Sequence, residues 1–502
     1  MYDRYSLGKL LQEAGFEDIK VCKADESRIP DFNSYLLDIE PDGSVRKPDS
    51  LFMEAKKPDA QNNKIACNHG TSQNRPVIAQ FCMQDFGGAG TAALRLHEGL
   101  TQIGANNTFF VQNIGKWKTK TTLLSQAHPS AKNKKFISPE WSAFQARNKQ
   151  ALSQYPNRPS GLEMFSVPWS ATNLKYISDI ANADIINLHW ISGTLDISDN
   201  INYLKNKKIV WTLHDMNPFT GGCHYSGSCH EYQNHCGKCF QLGSKDINDL
   251  SFNIWKMKKS AYRLLDITVV SPSQWLADCA KKSTLFSSFP VHVIPYGLPT
   301  DVFKPYPQNP IRESLKIPDK SFVILFGADS LNNARKGFRY LLQALEVLKK
   351  EHEQDNIILA VFGRSTEIGT QHLGYQTICF DYVEKDSELA MIYSMADVTV
   401  IPSLEDNLPN IVLESLACGT PVVGFDAGGI PDMVEHQING YLAPIKDAHS
   451  LAEGILWTKN QNINRMKLRI KCRETVLTKY NLLLQAERYD ALYKKIISKK
   501  SD

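Results

Sequence analysis

The sequence predicts an α/β protein built from two doubly wound domains in tandem, each a parallel sheet covered by helices. Three observations lead there. From Val77 onward, short β-rich runs alternate with helical stretches, the pattern of βαβ units. The same alternation restarts after Pro295. Glycine-rich, acidic and histidine-bearing segments fall just after strands, where open α/β sheets bind ligands.

In the first half, the runs Val77–Phe81, Thr108–Val111, Ile185–Trp190, Ile209–Leu213, Ile267–Val270 and Val291–Ile294 read as strands, with helices over Thr91–Ile103 and Leu276–Ser283. The second half gives strands Val323–Phe326, Ile357–Phe362, Thr377–Phe380, Val398–Ile401 and Val422–Phe425. Its helices are Phe338–Glu351, Ser387–Ala396 and Asn410–Cys418, the last stopped by Gly419 and Pro421. An amphipathic helix, Leu482–Ile497, closes the chain. The expected division is 1–60, a linker 61–74, domains 75–295 and 296–475, and a terminal helix with a basic tail, 476–502. In 1–60, a helix Leu7–Ala14 and strands near Ile19–Cys22 and Asp49–Ala55 are expected, too little for more than a marginal core.

Composition excludes several classes. The 502 residues are 42% hydrophobic and 22% charged, ordinary for a globular chain of two to four domains at roughly 100–200 residues each. Lys and Arg number 57 against 53 Asp and Glu, and a net +4 implies no nucleic-acid partner. No window approaches about 18 uninterrupted apolar residues, so no membrane-spanning helix is expected. The first residues do not read as a signal peptide, and eleven cysteines then suggest a reducing, cytoplasmic setting.

Four segments can carry chemistry. Asp85-Phe86-Gly87-Gly88-Ala89-Gly90-Thr91 joins a strand to a helix, and its glycines suit either a phosphate on the helix N-terminus or a tight turn. Its spacing is not a dinucleotide fingerprint. Asp406 and Glu414 stand in a loop and in the following helix, placed for sugar hydroxyls and a ribose diol, or simply acidic surface. Arg335-Lys336 can neutralise a diphosphate or be a solvated pair. His214-Asp215 ends a strand, where a catalytic and a structural histidine are both tenable.

Together with Ile294-Pro295-Tyr296-Gly297-Leu298-Pro299-Thr300-Asp301, Lys336-Gly337 and Asn439-Gly440-Tyr441-Leu442, the stretch Asp406–Val423 resembles the nucleotide-sugar signature of family-4 retaining glycosyltransferases, over roughly Pro76 to Tyr493. The resemblance implies a GT-B fold, two Rossmann-like domains facing across a cleft. It implies Glu414 on the ribose, Asp406 on the donor sugar, Lys336 and Arg335 on the diphosphate with Gly87 and Gly88, His214 beside the sugar, and Asp381 and Tyr382 flanking the base. Sugar transfer would run with retention and without a metal or other catalytic cofactor, from a nucleoside-diphosphate sugar to a glycan or lipid-linked acceptor, in bacterial surface polysaccharide assembly such as lipopolysaccharide or capsule. Three positions depart from the pattern: Asp406 stands where Glu is usual, Ala328 where Arg is usual, and Pro409 removes a loop N–H. A nucleotide-sugar 2-epimerase and a non-catalytic sugar-nucleotide-binding protein are the alternatives.

Cys223, Cys229, Cys236 and Cys239 read as a structural zinc knot, with disulfides or free thiols as alternatives. Residues 1–58 resemble the tail of a class I S-adenosylmethionine-dependent methyltransferase without its cofactor loop. Lys116, Lys118, Lys120, Lys132, Lys134 and Lys135, with Trp117, form either a solvated face or a patch for an anionic membrane at the inner face of the plasma membrane.

Overall fold

The structure is a computed structural model that describes residues 17–22, 52–56, 75–115, 121–124, 139–170, 172–330, 333–351, 356–364, 374–380, 383–461 and 464–498. The Leu7–Ala14 helix, the linker, the lysine cluster with Trp117, Asp381 and Tyr382 lie outside them. The chain forms two compact units, Met1–Asn74 and Arg75–Asp502. In the first, β1 (Glu17–Cys22) and β2 (Phe52–Lys56) pair antiparallel.

The second unit contains two parallel sheets among the described residues. The first has the order β5-β4-β3-β6-β7-β8-β9, from β3 (Val77–Gln84), β4 (Asn106–Asn113), β5 (Thr122–Leu123), β6 (Ile185–Leu188), β7 (Lys208–Thr212), β8 (Asp266–Ser271) and β9 (Val291–Val293). The second runs β12-β11-β10-β13-β14-β15, from β10 (Phe322–Ser330), β11 (Ile357–Arg364), β12 (Gln376–Phe380), β13 (Val398–Ile401), β14 (Val422–Phe425) and β15 (Gly440–Ala443). Strands β6, β13 and β14 are buried at every residue, as expected of parallel strands covered on both faces. This is the two-domain α/β arrangement that the alternation of strands and helices predicts.

Helix Gly87–Gln102 begins four residues before the expected Thr91, because the glycine run is itself the first helical turn. Gly90 permits that start, since a Cβ there would lie 2.5 Å from the Gln84 carbonyl oxygen. The final helix, Leu482–Ser498, does not stay with the second sheet. It returns to the first, where Ala486, Tyr489, Leu492 and Tyr493 pack with Leu96, Leu100, Ile185 and Val210. Tyr493 Oη accepts from Asn187 Nδ2 at 2.8 Å, and Tyr489 Oη lies 3.0 Å from Thr212 Oγ1, so both hydroxyls are satisfied inside that core. The two chain crossings between the halves run side by side: Leu298 N donates to Tyr480 O at 2.8 Å and Leu482 N to Leu298 O at 3.1 Å.

Candidate active site between the two sheets

Strand β13 delivers the chain to the loop Ser403–Pro409, and Pro409 caps the helix Asn410–Ala417. Gly428 and Gly429 hold the loop from behind. Their Cβ atoms would fall 1.9 Å from Asp406 O and 1.8 Å from Asn407 O, so no larger residue lets the two segments approach this closely. Asp406 is 6% exposed and accepts from Lys336 Nζ at 2.6 Å, with Ser403 Oγ at 3.3 Å and Tyr225 Oη at 3.4 Å. Burial alone would raise its pKa. The Lys336 and Arg335 charges outweigh burial and hold it at about 2.

The basic pair stands in a 3-10 turn, Ala334–Lys336, whose N-cap Asn333 accepts from Arg335 N at 3.1 Å. Gly337 follows with φ +68°, and a Cβ there would sit 1.8 Å from Pro402 O. That contact is what lets Lys336 reach the acidic loop. Arg335 is clamped: Nε donates to Glu163 Oε2 at 2.6 Å, Nη1 to Glu405 O at 2.7 Å, and the guanidinium lies 3.9 Å from the Tyr225 ring centroid. Asn333 Nδ2 also donates to Glu163, at 2.9 Å. Burial raises the Glu163 pKa and Arg335 pulls it down, leaving it lowered overall.

Glu414 is 4% exposed and faces the other half of the molecule. Arg95, on the glycine-started helix, meets its Oε1 at 2.8 Å, and Tyr393 Oη donates to Oε2 at 2.9 Å. Burial raises the Glu414 pKa despite Arg95. Arg95 also reaches Asp386 at 3.3 Å and lies over the Phe303 ring, while its buried Nε has no partner. Gly87 and Gly88 are exposed beside this pair, and Asn410 Nδ2 donates to Gly88 O at 3.0 Å. Phe86 at the N-cap offers no side-chain acceptor to the first-turn amides.

His214 is 8% exposed and both ring nitrogens face protein groups: Nδ1 is 2.7 Å from Tyr296 Oη, Nε2 3.0 Å from His189 Nδ1. Burial lowers its pKa to about 4, against the pull of Asp215. Asp215 itself accepts from Trp190 Nε1 at 2.9 Å and contacts His224 Nδ1 at 2.6 Å. The neighbouring Gly227 N donates to Glu405 Oε2 at 2.9 Å, so the segment after His214 is fastened to the acidic loop.

The four cysteines of the expected zinc knot lie together. Cys223, Cys229, Cys236 and Cys239 line one cavity of about 20 Å³, yet no three His, Cys, Asp or Glu side chains among the described residues gather as an ion's ligand set. Cys236 Sγ accepts from the Gly221 amide at 3.1 Å, and burial pushes that thiol up to about 12.

The structure thus joins Asp406, Lys336 and Arg335 in one cluster and Glu414, Arg95 and Tyr393 in a second, while Gly88 meets Asn410 at the start of the Glu414 helix. Glu163, Arg95 and Tyr225 are the partners that sequence reasoning missed. Arg95 left a signal, a cation at helical spacing within the apolar face of Ala92, Leu96 and Gly99; Glu163 left none.

Residues 307–475 match the family described as glycosyl transferases group 1. The D-inositol 3-phosphate glycosyltransferase of Corynebacterium jeikeium is 27% identical over 204 residues, 38% of this chain and 48% of that protein. The chain spans less than half the length of the curated relatives it matches first. Among solved structures, sucrose-phosphate synthase from Thermosynechococcus elongatus superposes with a TM-score of 0.59 at 19% identity, covering 85% of this chain and 100% of that one. An Anabaena protein in complex with UDP-glucose gives 0.53 at 14%, covering 84% and 100%. The fold is GT-B.

Proposed function

We propose that this protein is a retaining glycosyltransferase that moves a sugar from a nucleoside-diphosphate sugar to a hydroxyl of a glycan or lipid-linked acceptor. The observation that carries this reading is the Lys336–Asp406–Arg335 cluster, two cations fixed at the end of β13 inside the group 1 domain. Bond breaking at the anomeric carbon leaves the electron pair on a diphosphate oxygen. Lys336 and Arg335 are already in place for that charge, and a preorganised cation needs no reorganisation as the charge develops. Diphosphate oxygens compete with Glu163 and Asp406 for these donors.

Glu414, facing the glycine-started helix across the cleft, is the group for the ribose diol. Asp406 orients the donor sugar through its second oxygen. The acceptor oxygen forms its new bond on the face the diphosphate leaves, and its proton passes to the departing phosphate oxygen. A role in surface polysaccharide assembly fits this acceptor class. No helix among the described residues is long and apolar enough to cross a membrane.

The test is release of nucleoside diphosphate from a panel of nucleotide sugars, with and without EDTA. Release from one donor that survives EDTA and is lost in Lys336→Ala and Glu414→Ala supports the reading. Donor binding by calorimetry with no turnover under an acceptor screen would point to a binding protein instead, and no binding of any donor would overturn it.

A further inference from the structure

His214 belongs to a chain of hydrogen bonds that can run in only one direction. The chain is anchored on a main-chain carbonyl, Ala105 O, which accepts from Asn107 Nδ2 at 3.3 Å. A carbonyl cannot donate, so the Asn107 amide has one orientation and turns Oδ1 toward Gln80. Gln80 Nε2 donates to that oxygen at 2.8 Å, and His97 Nδ1 contacts it from the other side. Gln80 Oε1 is therefore left facing His189 Nε2 at 3.1 Å, and this nitrogen carries the ring proton. A neutral imidazole has one N–H, so His189 Nδ1 accepts and His214 Nε2, 3.0 Å away, donates. His214 Nδ1 is then the acceptor for the Tyr296 hydroxyl at 2.7 Å.

The links from Gln80 to Tyr296 are buried: Gln80 is 0% exposed, His189 1%, His214 8%, Tyr296 6%. If either histidine gained a second proton, two N–H groups would oppose each other or Tyr296 would lose its acceptor. The ionisable groups facing the chain are His97 toward His189, Asp215 toward His214, and Tyr225, Tyr489, Asp215 and Asp406 toward Tyr296. The chain also reaches the acidic loop. The His214 carbonyl accepts from Asn407 Nδ2 at 3.1 Å, and Asn407 Oδ1 accepts from Ser273 Oγ at 2.6 Å, next to Asp406.

We infer that His189 is a positioning residue: held by Gln80, it fixes His214 as the Nε2–H tautomer and thereby sets where Tyr296 and the Asp406–Asn407 loop stand. The inference rests on Asp406 acting at the donor site.

The experiment is nitrogen-15 NMR of the histidine rings in the full chain, combined with donor turnover. Both His189 and His214 are expected as Nε2–H tautomers at neutral pH; an Nδ1–H ring at His214, or an imidazolium at either, overturns the inference. His189→Leu removes the acceptor for His214 and is expected to mix its tautomers and lower kcat about ten-fold at nearly constant KM, within the ~100-fold range of small misplacements. His189→Gln supplies an amide oxygen and is expected to restore both. An unchanged His214 spectrum and kcat in His189→Leu overturns the role; if that variant does not fold, the wild-type and His189→Gln spectra decide. The ring spectra need no turnover, so failure of the transferase reading is told apart from failure of this one.

Discussion

Replacing Lys336 by alanine separates the two things this side chain does. Asp406 sits at about 2 against an ordinary 3.8, which corresponds to about 2 kcal/mol of carboxylate stabilisation, and Lys336 is the largest of the causes that lower it. Removing the ammonium leaves Arg335 at 3.4 Å as the remaining cation on Asp406. About 1–2 kcal/mol of stability is then lost at neutral pH. The sign follows from the depressed carboxylate: its contribution is present above 3.8 and disappears as pH falls through 2. The wild-type and Lys336→Ala stabilities are therefore expected to differ most at pH 7 and to converge between about pH 4 and 2. Catalysis is expected to fall far more, by about 10²–10³ in kcat, the cost of one preorganised donor at a developing anion. Urea unfolding across pH, with nucleoside diphosphate release under saturating donor, reads both effects. A variant that retains a third of wild-type turnover would refute the catalytic argument. A stability gap that stays flat down to pH 2 would refute the electrostatic one.

Arg95→Met strips the buried Glu414 of its cation and is expected to cost about 3–5 kcal/mol by urea unfolding, with Glu414→Gln recovering part of it; an unchanged midpoint would show that the pair does not bind the halves together. Gly337→Ala forces φ +68° on a side chain aimed at Pro402 O and is expected to lose more than about 1 kcal/mol along with donor affinity. Gly88→Ala meets nothing within 4 Å, so stability is expected to hold or rise by about 0.5–1 kcal/mol while donor KM increases if a phosphate sits against that turn. His214 keeps a pKa of about 4 when folded and 6.5 when not, so the unfolded chain gains its proton first as pH falls from 6.5 to 4; stability drops by up to about 3 kcal/mol over that window, and His214→Gln is expected to flatten the slope.

Strands β6, β13 and β14 were legible because their residues are buried on both faces and so read as apolar runs; β13 and β14 match to the residue. Helix Phe338–Glu351 was legible from its periodicity. The acidic loop and the basic turn could be found because both follow strand ends, where local sequence indicates a site. Their partners could not. Glu163 meets Arg335 across 172 residues, and His189 meets Gln80 across 109, contacts that only the packed sheets create. The cysteine spacing was legible as proximity: four thiols close in sequence line one cavity, where Cys236 Sγ accepts from the Gly221 amide.

The return of the Leu482–Ser498 helix to the first sheet has a consequence for biosynthesis. The ribosome completes strands β3 to β9 nearly two hundred residues before it makes Tyr489 and Tyr493. Throughout that interval the apolar face of Ile78, Leu96, Ile185 and Val210 lacks its cover, and Asn187 and Thr212 lack their tyrosine hydroxyls. The amino-terminal half emerges first yet is finished last. A nascent chain stalled before residue 482 presents that uncovered face to holdase chaperones, and release of the last helix from the exit tunnel ends the exposure.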